Sequence, residues 1–173
     1  MLHGCLNGAR RPDEHPALPV TPQQLAVDAV AVRAAGAGGV HLHVKDPAGA
    51  DTLAAVELAA ALTAVRAAVP GLPVGVTTGA WAVPDPAARV AAVRSWTVLP
   101  DTASVNWHED GAGTGVPVQP YGEASSAWPA LRCAARWELD TRIGLEGTLV
   151  LPDGSPAPGN AALVLAARSL GAV

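Results

Sequence analysis

Short apolar runs alternate along this chain with longer alanine-rich stretches, and each change of period falls at a turn signal. Residues 2–6 read as a first strand, followed by a loop over 7–20. Thr21-Pro22-Gln23-Gln24 then predicts a helix start: Thr21 is a good N-cap, Pro22 suits the first helical position, and Gln24 completes a capping box. That helix ends near Gly36. Residues 40–45 form a second strand, and a helix follows from about 52 to 69, stopping at Pro70-Gly71. A third strand covers 73–78, and Asp85-Pro86 caps the next helix. A fourth strand spans 102–107, a further strand 116–121, and a helix 127–137. The last strand is expected at 141–146, with a closing helix N-capped by Asn160 and ending near Gly171. Strands that alternate with helices predict an α/β fold built on a parallel sheet, here of about six strands. One junction is physically odd. Only residues 108–115, rich in Gly, separate the fourth strand from the next, whereas parallel neighbours need a crossover of roughly a dozen residues. Either those strands are antiparallel or non-adjacent, or a βα segment is missing there.

Composition narrows the function without naming it. With 173 residues the chain fits one domain with a sizeable core. Aromatics are scarce, with five Trp, one Tyr and no Phe, so Ala, Val and Leu must fill the interior. A net charge of −4 and a single lysine, Lys45, exclude a nucleic-acid surface, which needs clustered positive charge. Cys5 and Cys133 are too few for a disulfide framework or zinc ribbon and read as buried free thiols. The start of the chain has no apolar leader, and no apolar run reaches the roughly 18 residues of a membrane span. A cytoplasmic protein without membrane contact is the expectation.

The chemistry concentrates in two segments. In Val40-His41-Leu42-His43-Val44-Lys45-Asp46, strand alternation sends Val40, Leu42 and Val44 to one face and His41, His43 and Lys45 to the other. Two imidazoles at i and i+2 can converge on one ion, zinc being a favoured partner; two solvated or core-satisfied histidines are the alternative. In Thr141-Arg142-Ile143-Gly144-Leu145-Glu146-Gly147, Arg142, Gly144 and Glu146 share a face. Glu146 offers a third, hard-oxygen ligand, Arg142 suits bidentate binding of a substrate carboxylate, and Gly144 between them leaves open space. An ion pair between Arg142 and Glu146 is the alternative. Two His and one carboxylate with an open fourth position is the composition of a catalytic zinc.

Further motifs extend these two. Leu6-Asn7-Gly8-Ala9-Arg10, Pro16 to Pro22 and His41 to Asp46 resemble the opening of the β-keto acid cleavage enzymes, the family of 3-keto-5-aminohexanoate cleavage enzyme. Val76-Thr77-Thr78-Gly79, Pro100 to Asn106, Arg142 to Glu146, Leu151-Pro152-Asp153-Gly154 and Asn160-Ala161 continue the likeness in order over nearly the whole chain. The resemblance implies a TIM-barrel-like fold with zinc held by His41, His43 and Glu146. It implies a Claisen-type exchange in which a β-keto acid and acetyl-CoA give acetoacetate and a new acyl-CoA. It places Arg142 and Thr77 in the catalytic machinery, and Asn7, Lys45, Thr78, Asn106 and Glu109 at substrate-binding positions, several of them at strand ends where barrel chemistry sits.

Three departures from the family pattern bear on activity. Gly147 stands where the family has an Asp that serves proton transfer, removing a general-base contribution of roughly 10²–10⁴-fold unless another group replaces it; Glu109, Asp110 and Glu123 are candidates by position. Lys45 stands where the family has Arg. The length falls short of the about 250 residues of a full barrel, so the equivalents of the fifth and sixth strands are expected to be lost by an internal deletion near residues 109–116. The whole chain then forms one truncated barrel-like domain whose open edges favour a homo-oligomer. Three functions stay in view: the zinc-dependent acyltransferase, a non-catalytic metal-binding remnant of that family, and an aldolase-like metal-dependent lyase.

Overall fold

A computed structural model of the chain describes residues 1–104, 119 and 121–172. Its elements run β1 (Leu2–Cys5), α1 (Pro22–Ala34), β2 (Gly39–Leu42), α2 (Ala55–Ala68), β3 (Val74–Thr77), α3 (Pro86–Arg94), β4 (Thr102–Ser104), α4 (Ala127–Arg136), β5 (Thr141–Ile143) and α5 (Asn160–Ser169). All strand pairs are parallel, in the order β4-β3-β2-β1-β5. The α/β class and the parallel sheet therefore stand as expected. Among the described residues the order is that of a barrel opened at one seam: β1 to β4 follow the chain, and β5 pairs with the far side of β1. Among the described residues there are five strands, not six. The strand expected at 116–121 falls mostly outside them, and Gln119 and Tyr121, which are described, belong to no strand. The expected deletion near 109–116 also lies outside the described residues.

The helix starts obey local chemistry. At the head of α1, Thr21 Oγ1 accepts from Gln24 N at 3.2 Å while Gln24 Oε1 accepts from Thr21 N at 2.9 Å, the reciprocal capping box. Asp85 caps α3 by accepting from the amides of Ala87 and Ala88. The last helix departs from expectation: Gly159 is its N-cap and Asn160 is its first residue, with the side chain buried. The strands are shorter than read from the sequence, since residues past Leu42, Thr77 and Ile143 turn out of the ladder to reach the ends of the sheet.

Register sorts the strand residues into two layers. Leu2, Val40, Leu42, Val74, Val76 and Ile143 face outward and join the core with Leu25, Ala29 and Val32 of α1, Leu58, Leu62 and Val65 of α2, and Leu163 and Val164 of α5. Each fully buried Leu or Val contributes about 1.5–3 kcal/mol relative to exposure. Cys5, His41, Gly75 and Thr102 lie level across the inner layer, as do His3 and Arg142. A Cβ on Gly75 would lie 2.5 Å from Thr102 Oγ1 and 3.2 Å from His41 Nδ1, so a side chain there would clash with Thr102 and crowd the imidazole. Cys5 is buried as expected, but Cys133 is exposed on α4. No described helix is long and apolar enough to cross a membrane.

Candidate metal centre

The ends of β1, β2 and β5 converge, and the loops leaving them carry the chemistry. His41, in β2, and His43, one residue past it, are both buried, with ring centroids 5.7 Å apart and planes at 82°. Glu146 reaches the same point from the turn after β5. One ligand atom from each of His41, His43 and Glu146 can be chosen so that all lie within 4.8 Å of one another. His43 Nε2 is 3.9 Å from Glu146 Oε1, and Glu146 Oε2 is buried without a hydrogen-bond partner among the described residues. Burial pushes the His41 imidazolium well below its usual range, and the Arg142 guanidinium and the neighbouring His43 and His3 push the same way. A neutral imidazole beside an unsatisfied carboxylate is what a divalent cation requires. The residues fit a metal with two nitrogen ligands and one oxygen ligand.

A cavity of about 470 Å³ opens over these groups, lined by His41, His43, Glu146, Arg142, Thr77 and Tyr121 among others. The Arg142 guanidinium sits 4.0 Å above the Tyr121 ring, and its Nη2 is 3.8 Å from Glu146 Oε1. Its Nε is buried with no partner among the described residues. Arg142 and Glu146 are thus near one another yet each keeps an unused polar atom, which a well-made ion pair does not leave. Thr77 lines the cavity, its Oγ1 accepts from Gly79 N at 3.2 Å, and no acceptor takes its hydroxyl proton among the described residues. Burial raises the Cys5 thiol well above its usual range, and the Glu146 carboxylate adds to the rise, so Cys5 stays a neutral thiol.

Other expected site residues sit elsewhere. Asn7 is fully buried and donates from Nδ2 to Pro19 O at 3.0 Å and His43 O at 2.9 Å, while Oδ1 accepts from His43 N at 2.9 Å. It clamps the His43 backbone rather than lining the cavity. Lys45 donates all three ammonium protons internally, to Gly8 O at 2.9 Å, Arg10 O at 3.1 Å and Asp51. Thr78 Oγ1 donates to Ser104 O at 2.8 Å and ties β3 to β4. Asn106, Glu109 and Asp110 lie outside the described residues. Gly144 leaves no open space: a Cβ there would stand 1.9 Å from Cys5 O and 2.7 Å from Asn160 Oδ1. Its role is close approach of β5 to β1, not room for a ligand.

Sequence reasoning missed Asp51 and Trp81. Asp51 Oδ2 lies 3.0 Å from His43 Nδ1 and accepts from Trp81 Nε1 at 2.6 Å, while Oδ1 takes Lys45 Nζ. The Trp81 ring stacks on His43 at 5.7 Å and 18°. Burial pushes the Asp51 carboxyl up, but the contacts from His43, Lys45 and Trp81 outweigh it and hold the group below its usual range. The turn over Asp46 to Gly49, which returns Asp51 antiparallel to Lys45, carried a Pro-x-Gly signal. Nothing in the sequence marked Asp51 as its useful end. Asn160 was also misread: its Oδ1 accepts from Leu145 N at 2.7 Å, and Nδ2 donates to Leu6 O at 2.7 Å and to Asp28 Oδ2 at 2.6 Å.

By fold and site, then, the chain is a parallel α/β protein with barrel strand order that gathers two imidazoles and a carboxylate at its strand ends. A family model described as beta-keto acid cleavage enzyme matches residues 1–114, about two thirds of the length. The chain belongs to that family. His41 and His43 lie within the matched residues, and Glu146 and Arg142 beyond them. Solved structures also match, among them one titled as the binary complex of ObcA with oxaloacetate. The likeness to that structure is 21% in sequence, covers 37% of this chain and 17% of that one, and has a TM-score of 0.34. The chain thus spans far less than two thirds of that relative's length. No curated protein matches.

Proposed function

We propose that this protein is a zinc-dependent β-keto acid cleavage enzyme, exchanging a β-keto acid and acetyl-CoA for acetoacetate and an acyl-CoA. The observation that carries the reading is the convergence of His41, His43 and Glu146 on one point, with Glu146 Oε2 buried and unpartnered among the described residues. These three residues would hold the zinc, which when bound supplies Lewis-acid polarisation of a keto oxygen. Arg142, which lines the cavity, binds the substrate carboxylate, and stacking on Tyr121 fixes the guanidinium plane. The Thr77 hydroxyl donates to an oxygen on which charge develops. His41 remains neutral throughout, keeping its lone pair. Of the three carboxylates considered for the missing base, Glu123 lines the cavity and is hydrogen-bonded by Tyr121. It is the acceptor assigned to the proton that leaves the substrate carbon.

A second reading has its own support. Gly147 offers no proton acceptor, and a Cβ there would stand 3.0 Å from Gly122 O. Neighbouring backbone thus crowds the space a side chain would need. This favours a metal-binding remnant that has lost turnover. Zinc analysis of the purified protein beside His41→Ala, with an assay for acetoacetate from β-keto acids and acetyl-CoA, separates the readings. Zinc in wild type alone, with acetoacetate formed, supports the enzyme. Zinc without acetoacetate supports the remnant. Equal zinc in both proteins overturns the site.

A further inference from the structure

We infer that Asp51 is a positioning residue for the metal site, holding His43 in the one tautomer and ring orientation that presents a lone pair to the cation. The inference rests on the reading of His43 as a ligand. Its geometric basis is the division of labour between the two imidazole nitrogens. Nδ1 faces Asp51 Oδ2 at 3.0 Å, and Nε2 points the other way, 3.9 Å from Glu146 Oε1. An ionised carboxylate only accepts hydrogen bonds, so the proton of a neutral His43 resides on Nδ1 and the lone pair on Nε2. A free imidazole has no such constraint.

The carboxylate is itself fixed by bonds that divide between its oxygens. Oδ1 receives Lys45 Nζ, and Oδ2 receives Trp81 Nε1 at 2.6 Å in addition to the imidazole. Lys45 is anchored in turn by the carbonyls of Gly8 and Arg10. Trp81 acts twice, since its ring stacks on the His43 ring that its indole N–H helps to orient. The His43 backbone is separately clamped by both ends of the Asn7 amide. A plain Lys45–Asp51 ion pair would close the turn and leave Oδ2 free to face solvent. Here Oδ2 is spent on the imidazole and indole, and the Asp51 side chain is only 6% exposed. A carboxylate behind a ligating histidine fixes the ring and raises its basicity, and losing it typically weakens metal binding roughly 10–100-fold.

The test is zinc affinity by chelator competition for wild type, His43→Ala and Asp51→Asn, joined to the imidazole nitrogen shifts of His43 in metal-free wild type at mildly alkaline pH. The inference expects the Nδ1–H tautomer in wild type. It expects zinc binding lost in His43→Ala and weakened roughly 10–100-fold in Asp51→Asn, which keeps one acceptor for Lys45. An Nε2–H tautomer in folded wild type overturns it without any variant. Unchanged affinity in Asp51→Asn, with binding lost in His43→Ala, also overturns it and leaves the metal reading standing. Unchanged affinity in His43→Ala defeats the metal reading itself.

Discussion

His43 and Glu146 face the same point from opposite sides, and the protein treats them in opposite ways. On the His43 side every group but Nε2 is held: Asn7 grips the backbone, Asp51 takes Nδ1, and Trp81 covers the ring. On the other side Glu146 and Arg142 each carry a buried polar atom with no partner among the described residues. Buried polar atoms are nearly always satisfied, because leaving one unmade costs about 1–3 kcal/mol. One half of the site is therefore closed by its own hydrogen bonds, while the other keeps buried polar atoms without partners among the described residues. On the function proposed, the rigid half and the receptive half meet where a cation and an anionic substrate would bind.

Several substitutions test that contrast. The largest effect belongs to Gly144→Ala, where a Cβ 1.9 Å from Cys5 O forces β5 away from β1. The expected loss is about 3 kcal/mol or more, read by urea unfolding as a sharp fall in the midpoint or as failure to fold. Next is Asn7→Ala, which strips buried bonds from His43 and Pro19 and should cost about 2–4 kcal/mol in the metal-free protein. Glu146→Gln should behave in the opposite manner, keeping metal-free stability within about 1 kcal/mol while abolishing zinc binding. If Glu146→Gln unfolds as readily as Asn7→Ala, the division into two halves is wrong.

Asp28, under the Asn160 bracket, gives a pH signature. Burial raises its carboxyl to about 6 from 3.8, against the pull of the Asn160 hydrogen bond. The folded state then binds more protons than the unfolded between about pH 4 and 6, so stability falls as pH rises through that window. Asp28→Asn keeps an acceptor for Asn160 and should gain about 2 kcal/mol at neutral pH, with a flatter pH profile in denaturant titrations. The smallest effect is Thr21→Ala, about 1 kcal/mol from the lost α1 cap, at a residue that does not line the cavity over the histidines, with zinc affinity expected unchanged.

Much of the fold could be read locally. The capping box at Thr21, the proline at Asp85-Pro86 and the stop at Pro70-Gly71 place α1, α2 and α3 because caps and breakers act over three or four residues. Alternation in Val40 to Val44 sorts cavity-lining residues from core because the strand period is two. Legibility stopped where partners are distant in sequence. Lys45 and Thr78 read as polar groups at strand ends, yet the carbonyls that take their protons belong to Gly8, Arg10 and Ser104. Gly144 read as space, and only the neighbouring β1 shows it to be filled.

The two histidines, the carboxylate and the alternation of strands and helices were all present in the order of residues, since periodicity and side-chain type are local properties. Three matters were decided by packing alone: that Glu146 arrives beside imidazoles about a hundred residues earlier, that Asp51 rather than solvent meets His43 Nδ1, and that Asn160 turns inward to bind Leu6, Leu145 and Asp28. Each depends on which strands become neighbours, and strand neighbours are chosen by the burial of a shared core and not by any run of adjacent residues.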